Sequence, residues 1–170
     1  KDYAERHQVP KWYNTLEGIL TDPEVDAIYV ATPPGSHLEV AREVAKHGKP
    51  CYLEKPMARN LTESLEIAEI FESAKLPLFV AYYRRCYARF LRLKKLLESQ
   101  KYGKITAVHY RMERLKASKG AGWRENASIS GGGFFVDVGS HALDLLDFLL
   151  GPLQQLSGVA VLVRGSDPAA

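Results

Sequence analysis

The first clear apolar pattern is the run Val25 to Thr32 (VDAIYVAT), β-branched and aromatic, stopped by Pro33-Pro34-Gly35. A short run of this kind bounded by turn residues predicts a buried strand. Ser36, with Glu39 three residues on, makes a capping-box pattern. Leu38, Val40, Ala41, Val44 and Ala45 then supply the apolar face of a helix that Gly48 ends. Pro50 to Leu53 is a second strand, closed by Glu54-Lys55-Pro56. Asn60 or Thr62 caps a helix from Thr62 to Ala74 through Leu65, Ile67, Ala68, Ile70 and Phe71, and Leu76 to Tyr82 is a third strand. Short strands alternating with helices predict β-α-β units, a parallel sheet and right-handed crossovers.

The pattern changes after Arg84. Phe90, Leu93, Leu96 and Leu97 mark an amphipathic helix ending near Gly103. Ile105 to Arg114 alternates only in part, as a strand with one wetter face would. Residues 115–130 read as a polar loop, Gly131-Gly132-Gly133 leads into a helix from Phe134 to Leu150, and Leu156 to Arg164 reads as a further strand. Ahead of all this, Pro10 to Tyr13 reads as a strand and Leu16 to Leu20 as a helix. A boundary near residue 84 separates an α/β half, 1–84, from an α+β half, 85–170. The opening residues read as the end of an earlier element and the chain stops just after a strand, so both ends are expected to be cut.

Composition narrows the classes. The 170 residues carry 23 basic and 20 acidic side chains, a net charge of +3, and 46% are hydrophobic. That is an ordinary globular balance, long enough for a sizeable core and unlike a disordered or collagen-like chain. The charge is too mild to predict nucleic acid or a membrane surface as partner. Phe134 to Leu150 is the greasiest stretch, yet Asp137, His141, Asp144 and Asp147 interrupt it, so no membrane span is expected. With no signal peptide and only Cys51 and Cys86, a reducing, cytoplasmic setting is expected. Neither cysteine has a nearby histidine to activate it, so both read as packing residues.

Two places could hold chemistry. Glu54-Lys55-Pro56 stands at the carboxyl end of a predicted parallel strand, where open α/β sheets take their ligands. A lysine there can polarise a hydroxyl or carbonyl oxygen; the plain alternative is a pair of ordinary turn residues. Asp137 and His141, spaced i,i+4, share one face of a helix otherwise rich in leucine. A carboxylate beside an imidazole can fix its tautomer and favour a general base. The alternatives are a surface ion pair, a core histidine, or, adding Asp144, a metal-ligand helix. The triple glycine suggests close approach of the backbone to something. Trp123-Arg124 could touch an anion or stack on a ring, and His37 could face an anion at a helix N-terminus.

These segments recur in a familiar order. VDAIYVATPPGSH, HGKPCYLEKPMA, AYYRR, YGKI and WRENASISGGGFFVDVGSHALDLLDFLLG together resemble the glucose–fructose oxidoreductase and inositol dehydrogenase (Gfo/Idh/MocA) family over about Asp22 to Val163. The resemblance implies the C-terminal part of a Rossmann domain for NAD or NADP, followed by part of an α+β domain with an open, mostly antiparallel sheet. It implies hydride transfer between nicotinamide and a hydroxyl of a sugar, cyclitol or related polyol. Lys55, Asp137 and His141 would be the catalytic group. Thr32, Pro33, His37, Glu54, Lys55, Trp123 and Arg124 would lie against the cofactor, and Lys55, Arg84, Asp137 and His141 against the substrate. No metal is implied, and the full-length protein would be a homo-oligomer.

The chain departs from the family in carrying Tyr83 where many members have a smaller polar residue, and in holding no G-x-G-x-x-G loop among its residues. Relatives that cleave glycosides by transient oxidation on bound NAD keep a hydrolase reading open, and the absent loop keeps open a non-catalytic one.

Overall fold

A computed structural model describes residues 2–113, 122–155 and 157–158, which fall into two compact units, Lys1–Ala81 and Tyr82–Ala170. In the first unit, α1 (Asp2–Arg6) and α2 (Leu16–Leu20) precede β1 (Ile28–Val30), α3 (His37–Lys46), β2 (Cys51–Leu53), α4 (Leu61–Ser73) and β3 (Leu78–Val80). The strands pair in parallel in the order β1-β2-β3. Register sets Ile28 beside Cys51 and Leu78, Tyr29 beside Tyr52 and Phe79, and Val30 beside Leu53 and Val80. Side chains alternate across a strand. Ile28, Val30, Cys51 and Leu53 accordingly enter the core with Ala41, Val44, Ile67 and Phe71 of α3 and α4, while Tyr29, Tyr52 and Phe79 are exposed.

The strands are shorter than the apolar runs predict, because the ladder covers only three residues in each. Asn60, not Thr62, caps α4, its side chain accepting from the Glu63 backbone N–H. The capping box of Ser36 does not form. A 3₁₀ turn over Pro34–Ser36 places Ser36 in a helical conformation, and its hydroxyl donates back to the Pro33 carbonyl at 3.0 Å. An N-cap of the expected kind needs extended backbone. Gly48 ends α3 at φ +69°, a left-handed position that suits glycine. Pro10 to Tyr13 is no strand. Its side chains turn instead to Asp22, which takes contacts from Lys11 at 2.5 Å and from the Tyr13 hydroxyl.

In the second unit, a 3₁₀ turn (Tyr83–Cys86) leads into α5 (Ala88–Glu98). Further along come a 3₁₀ turn (Gly122–Glu125), α6 (Ala127–Ser130), a wide π turn (Phe135–Gly139) and α7 (Ser140–Leu150). The expected strand from Ile105 to Arg114 is absent over 105–113. No strand among the described residues pairs with it, and Ile105, Val108, Tyr110 and Met112 are exposed. A strand without a hydrogen-bonded neighbour has no ladder to hold it. The expected loop over 115–130 contains the two short helical turns just named, and the expected helix from Phe134 begins with the π turn. The strand expected from Leu156 to Arg164 lies almost wholly outside the described residues. No helix among the described residues is long and apolar enough to cross a membrane.

Candidate functional site

In the first unit the candidate residues gather at the carboxyl ends of β1 and β2. Thr32 and Pro33 follow β1 by two and three positions, and Glu54-Lys55 follows β2 directly. Glu54 is held from two directions. Its Oε2 accepts from the Lys55 backbone N–H at 3.1 Å, and its Oε1 accepts from the Tyr29 hydroxyl. The carboxylate, with burial added, pushes the Tyr29 phenol up to about 12, so the phenol stays a donor at neutral pH. Tyr29 leans on Tyr52 with ring centroids 5.1 Å apart. The apolar run marks Tyr29 only as a strand residue; its outward place in the alternation is the signal that sets it apart.

His37 differs from expectation. It is fully buried, at 0% exposure, and both ring nitrogens face backbone carbonyls. Nε2 lies 2.8 Å from the Thr32 oxygen and Nδ1 lies 3.1 Å from the Met57 oxygen. Neither nitrogen is turned to a bound anion, because the 3₁₀ turn before α3 directs the ring inward.

In the second unit, two predicted residues meet: Arg124 Nε donates to Asp137 Oδ2 at 3.0 Å. The guanidinium also lies 4.3 Å above the Trp123 ring. Asp137 sits in the π turn, a form often found at functional positions, and His141 in the first turn of α7. His141 is buried at 3% exposure, with Tyr83 edge-on at 5.0 Å and Tyr82 at 6.1 Å between ring centroids. Burial and the nearby Asp144 charge push the Tyr82 phenol up.

Arg85 anchors α7. Its Nε donates to Asp144 at 2.7 Å, and its guanidinium lies over Phe148. Asp144 is thereby drawn into an ion pair instead of a metal site. Among the described residues no group of three or more His, Cys, Asp and Glu is placed to hold a metal ion. The triple glycine answers to packing: a Cβ on Gly132 would lie 2.5 Å from the Val136 side chain, and Gly131 at φ 80° caps α6. Of the two cysteines, Cys51 is buried and Cys86 exposed.

Thr32, Pro33, Glu54 and Lys55 stand outside the ends of adjacent parallel strands, the place where open α/β sheets bind nucleotides, so their position fits a dinucleotide.

Comparison with known proteins gives a consistent picture. Residues 1–82 match the GFO/IDH/MocA oxidoreductase family with an NAD-binding Rossmann fold, and residues 90–168 match the GFO/IDH/MocA C-terminal domain. The chain is 33% identical over 160 residues to Oxidoreductase P35 of Formosa agariphila, covering 91% of this chain and 50% of that one. An NAD-binding protein from Listeria innocua superposes with a TM-score of 0.78 at 30% identity, over 88% of this chain and 43% of the other. The WlbA dehydrogenase from Bordetella pertussis, in complex with NADH and UDP-GlcNAcA, superposes at 0.74 and 30% identity, over 89% of this chain and 44% of the other. The chain thus spans about half the length of the curated relative it matches.

Proposed function

Because the chain belongs to the GFO/IDH/MocA oxidoreductase family, we propose that the protein moves hydride between nicotinamide and a secondary hydroxyl of a sugar, cyclitol or related polyol. The observation that carries this reading is the family match over both halves, on stretches that contain Lys55 and the Asp137–His141 segment. Bound NAD or NADP supplies the hydride acceptor. Glu54 and Lys55, with Thr32 and Pro33, would hold its nicotinamide side.

His141 takes the hydroxyl proton as general base. The Lys55 ammonium polarises the same oxygen and stabilises the alkoxide charge that develops. Asp137 orients the imidazole, and Arg124 holds Asp137 in turn. The Tyr82 and Tyr83 rings screen the imidazole from water. The sugar ligand of the WlbA dehydrogenase complex supports a carbohydrate as substrate class.

Transfer of label tests the reading. Given a polyol deuterated at the reacting carbon, the protein should deliver deuterium to the nicotinamide and accumulate reduced cofactor. Sugar release with no net reduced cofactor would favour glycoside cleavage instead, and no transfer to any polyol or sugar would defeat the oxidoreductase reading.

A further inference from the structure

We propose that His37 is a positioning residue that clamps the two strand-end loops of the candidate cofactor site to each other. The proposal rests on the oxidoreductase reading above for its kinetic consequences, though not for the clamp itself. The ring is completely enclosed at the first residue of α3, and its two nitrogens reach carbonyls that belong to different loops. One carbonyl is Thr32, two residues beyond the last residue of β1. The other is Met57, two residues beyond Lys55.

Carbonyl groups past the end of a strand have left the sheet ladder, and when buried they need a donor from elsewhere. Carbonyl oxygens only accept, so the ring bonds both loops together when both nitrogens carry a proton; with a single N–H it bonds one loop and only packs against the other. No aliphatic residue could serve both loops. The Lys55 loop is thereby pinned on both flanks, by Tyr29 through Glu54 and by His37 through Met57. A lysine that must meet a developing charge within a fraction of an ångström depends on such support.

The geometry separates the two bonds by substitution. Asparagine places its amide nitrogen near the position of Nδ1, so His37→Asn keeps the Met57 bond and gives up the Thr32 bond. Glutamine places its amide nitrogen near Nε2, so His37→Gln keeps Thr32 and gives up Met57.

The test has two arms. Without any turnover, nuclear magnetic resonance of the histidine-labelled protein should show a ring N–H of His37 exchanging slowly with solvent. Backbone amide exchange should rise around Lys55 to Ala58 in His37→Gln, and around Thr32 to Gly35 in His37→Asn. Fast ring N–H exchange in the unsubstituted protein overturns the clamp, and this arm decides even if both variants fail to fold. In the kinetic arm, His37→Gln should lower kcat about tenfold with the cofactor KM little changed. His37→Asn should raise the cofactor KM about tenfold with kcat little changed. Equal changes in both variants, or unsubstituted values in both, overturn the positioning role. Failure of the unsubstituted protein to transfer deuterium would instead overturn the functional reading, with the exchange arm still deciding the clamp.

Discussion

Arg124 donates through Nε to Oδ2 of Asp137 across 3.0 Å, while the same guanidinium rests on the Trp123 ring at 4.3 Å. The Asp137 side chain is only 15% exposed, so this cation bears on a carboxylate largely withdrawn from water. Hydrogen bonds to charged groups contribute about 1.5–3 kcal/mol. If the pair is formed throughout catalysis, Arg124→Ala should lower kcat/KM by about 10- to 100-fold. Arg124→Lys should recover little, since an ammonium lacks the planar donor and stacks less well. Steady-state kinetics check both, and an unaltered Arg124→Ala protein would detach this pair from the chemistry.

Acid should weaken the first unit through two carboxyls. Lys11 and the Tyr13 hydroxyl hold the Asp22 carboxyl well below the usual range, and Arg59 lowers that of Glu63. A lowered pKa means stability that is present above the unfolded value, about 4, and is lost as pH falls through the folded value. Thermal unfolding followed by circular dichroism should show a Tm that drops below about pH 4. Asp22→Asn should flatten part of that drop, and a Tm indifferent to acid would contradict the assignment.

Alkali should act through a thiol. Cys51 is 1% exposed, and burial pushes its thiol up from 9.0 to about 11. The neutral form is therefore favoured in the fold. Its contribution is complete below 9.0 and is lost as pH rises through about 11. Native alkylation read by mass spectrometry should label exposed Cys86 and spare Cys51, which reacts only after denaturation. Labelling of Cys51 in the native protein would show that the core opens readily.

Leu53 lies at the centre of the sheet at 0% exposure, packed with Ile67 and Phe71. Leu53→Ala should destabilise the first unit by about 2–5 kcal/mol, from lost burial and the cavity left behind. Urea unfolding measures this directly, and a cost under about 1 kcal/mol would mean that the site collapses freely.

Elements with a strong period were readable from the chain: α3, α4 and α7 lie where their apolar faces place them, and the three strands sit inside their predicted runs. Ends were less readable because they depend on partners. Ser36 fails as a cap because Pro34 draws it into a 3₁₀ turn, and 105–113 forms no strand because nothing among the described residues pairs with it. At the candidate site, the residue types were visible and their partners were not. Nothing local in the sequence shows that Arg85 reaches Asp144, that His37 turns inward to Thr32 and Met57, or that Arg124 finds Asp137. Apart from the His37–Thr32 contact, those pairings join residues well separated in sequence, which periodicity does not encode.

The central claim is that Lys55 and His141 serve one substrate oxygen, and a double-mutant cycle on deuteride transfer tests it most directly. Lys55→Met and His141→Asn should each lower turnover by about 10²–10⁴-fold. The double variant should be scarcely worse than the poorer single one, because groups acting as a unit do not add. Losses that multiply fully, or a single variant that keeps its turnover, would contradict it.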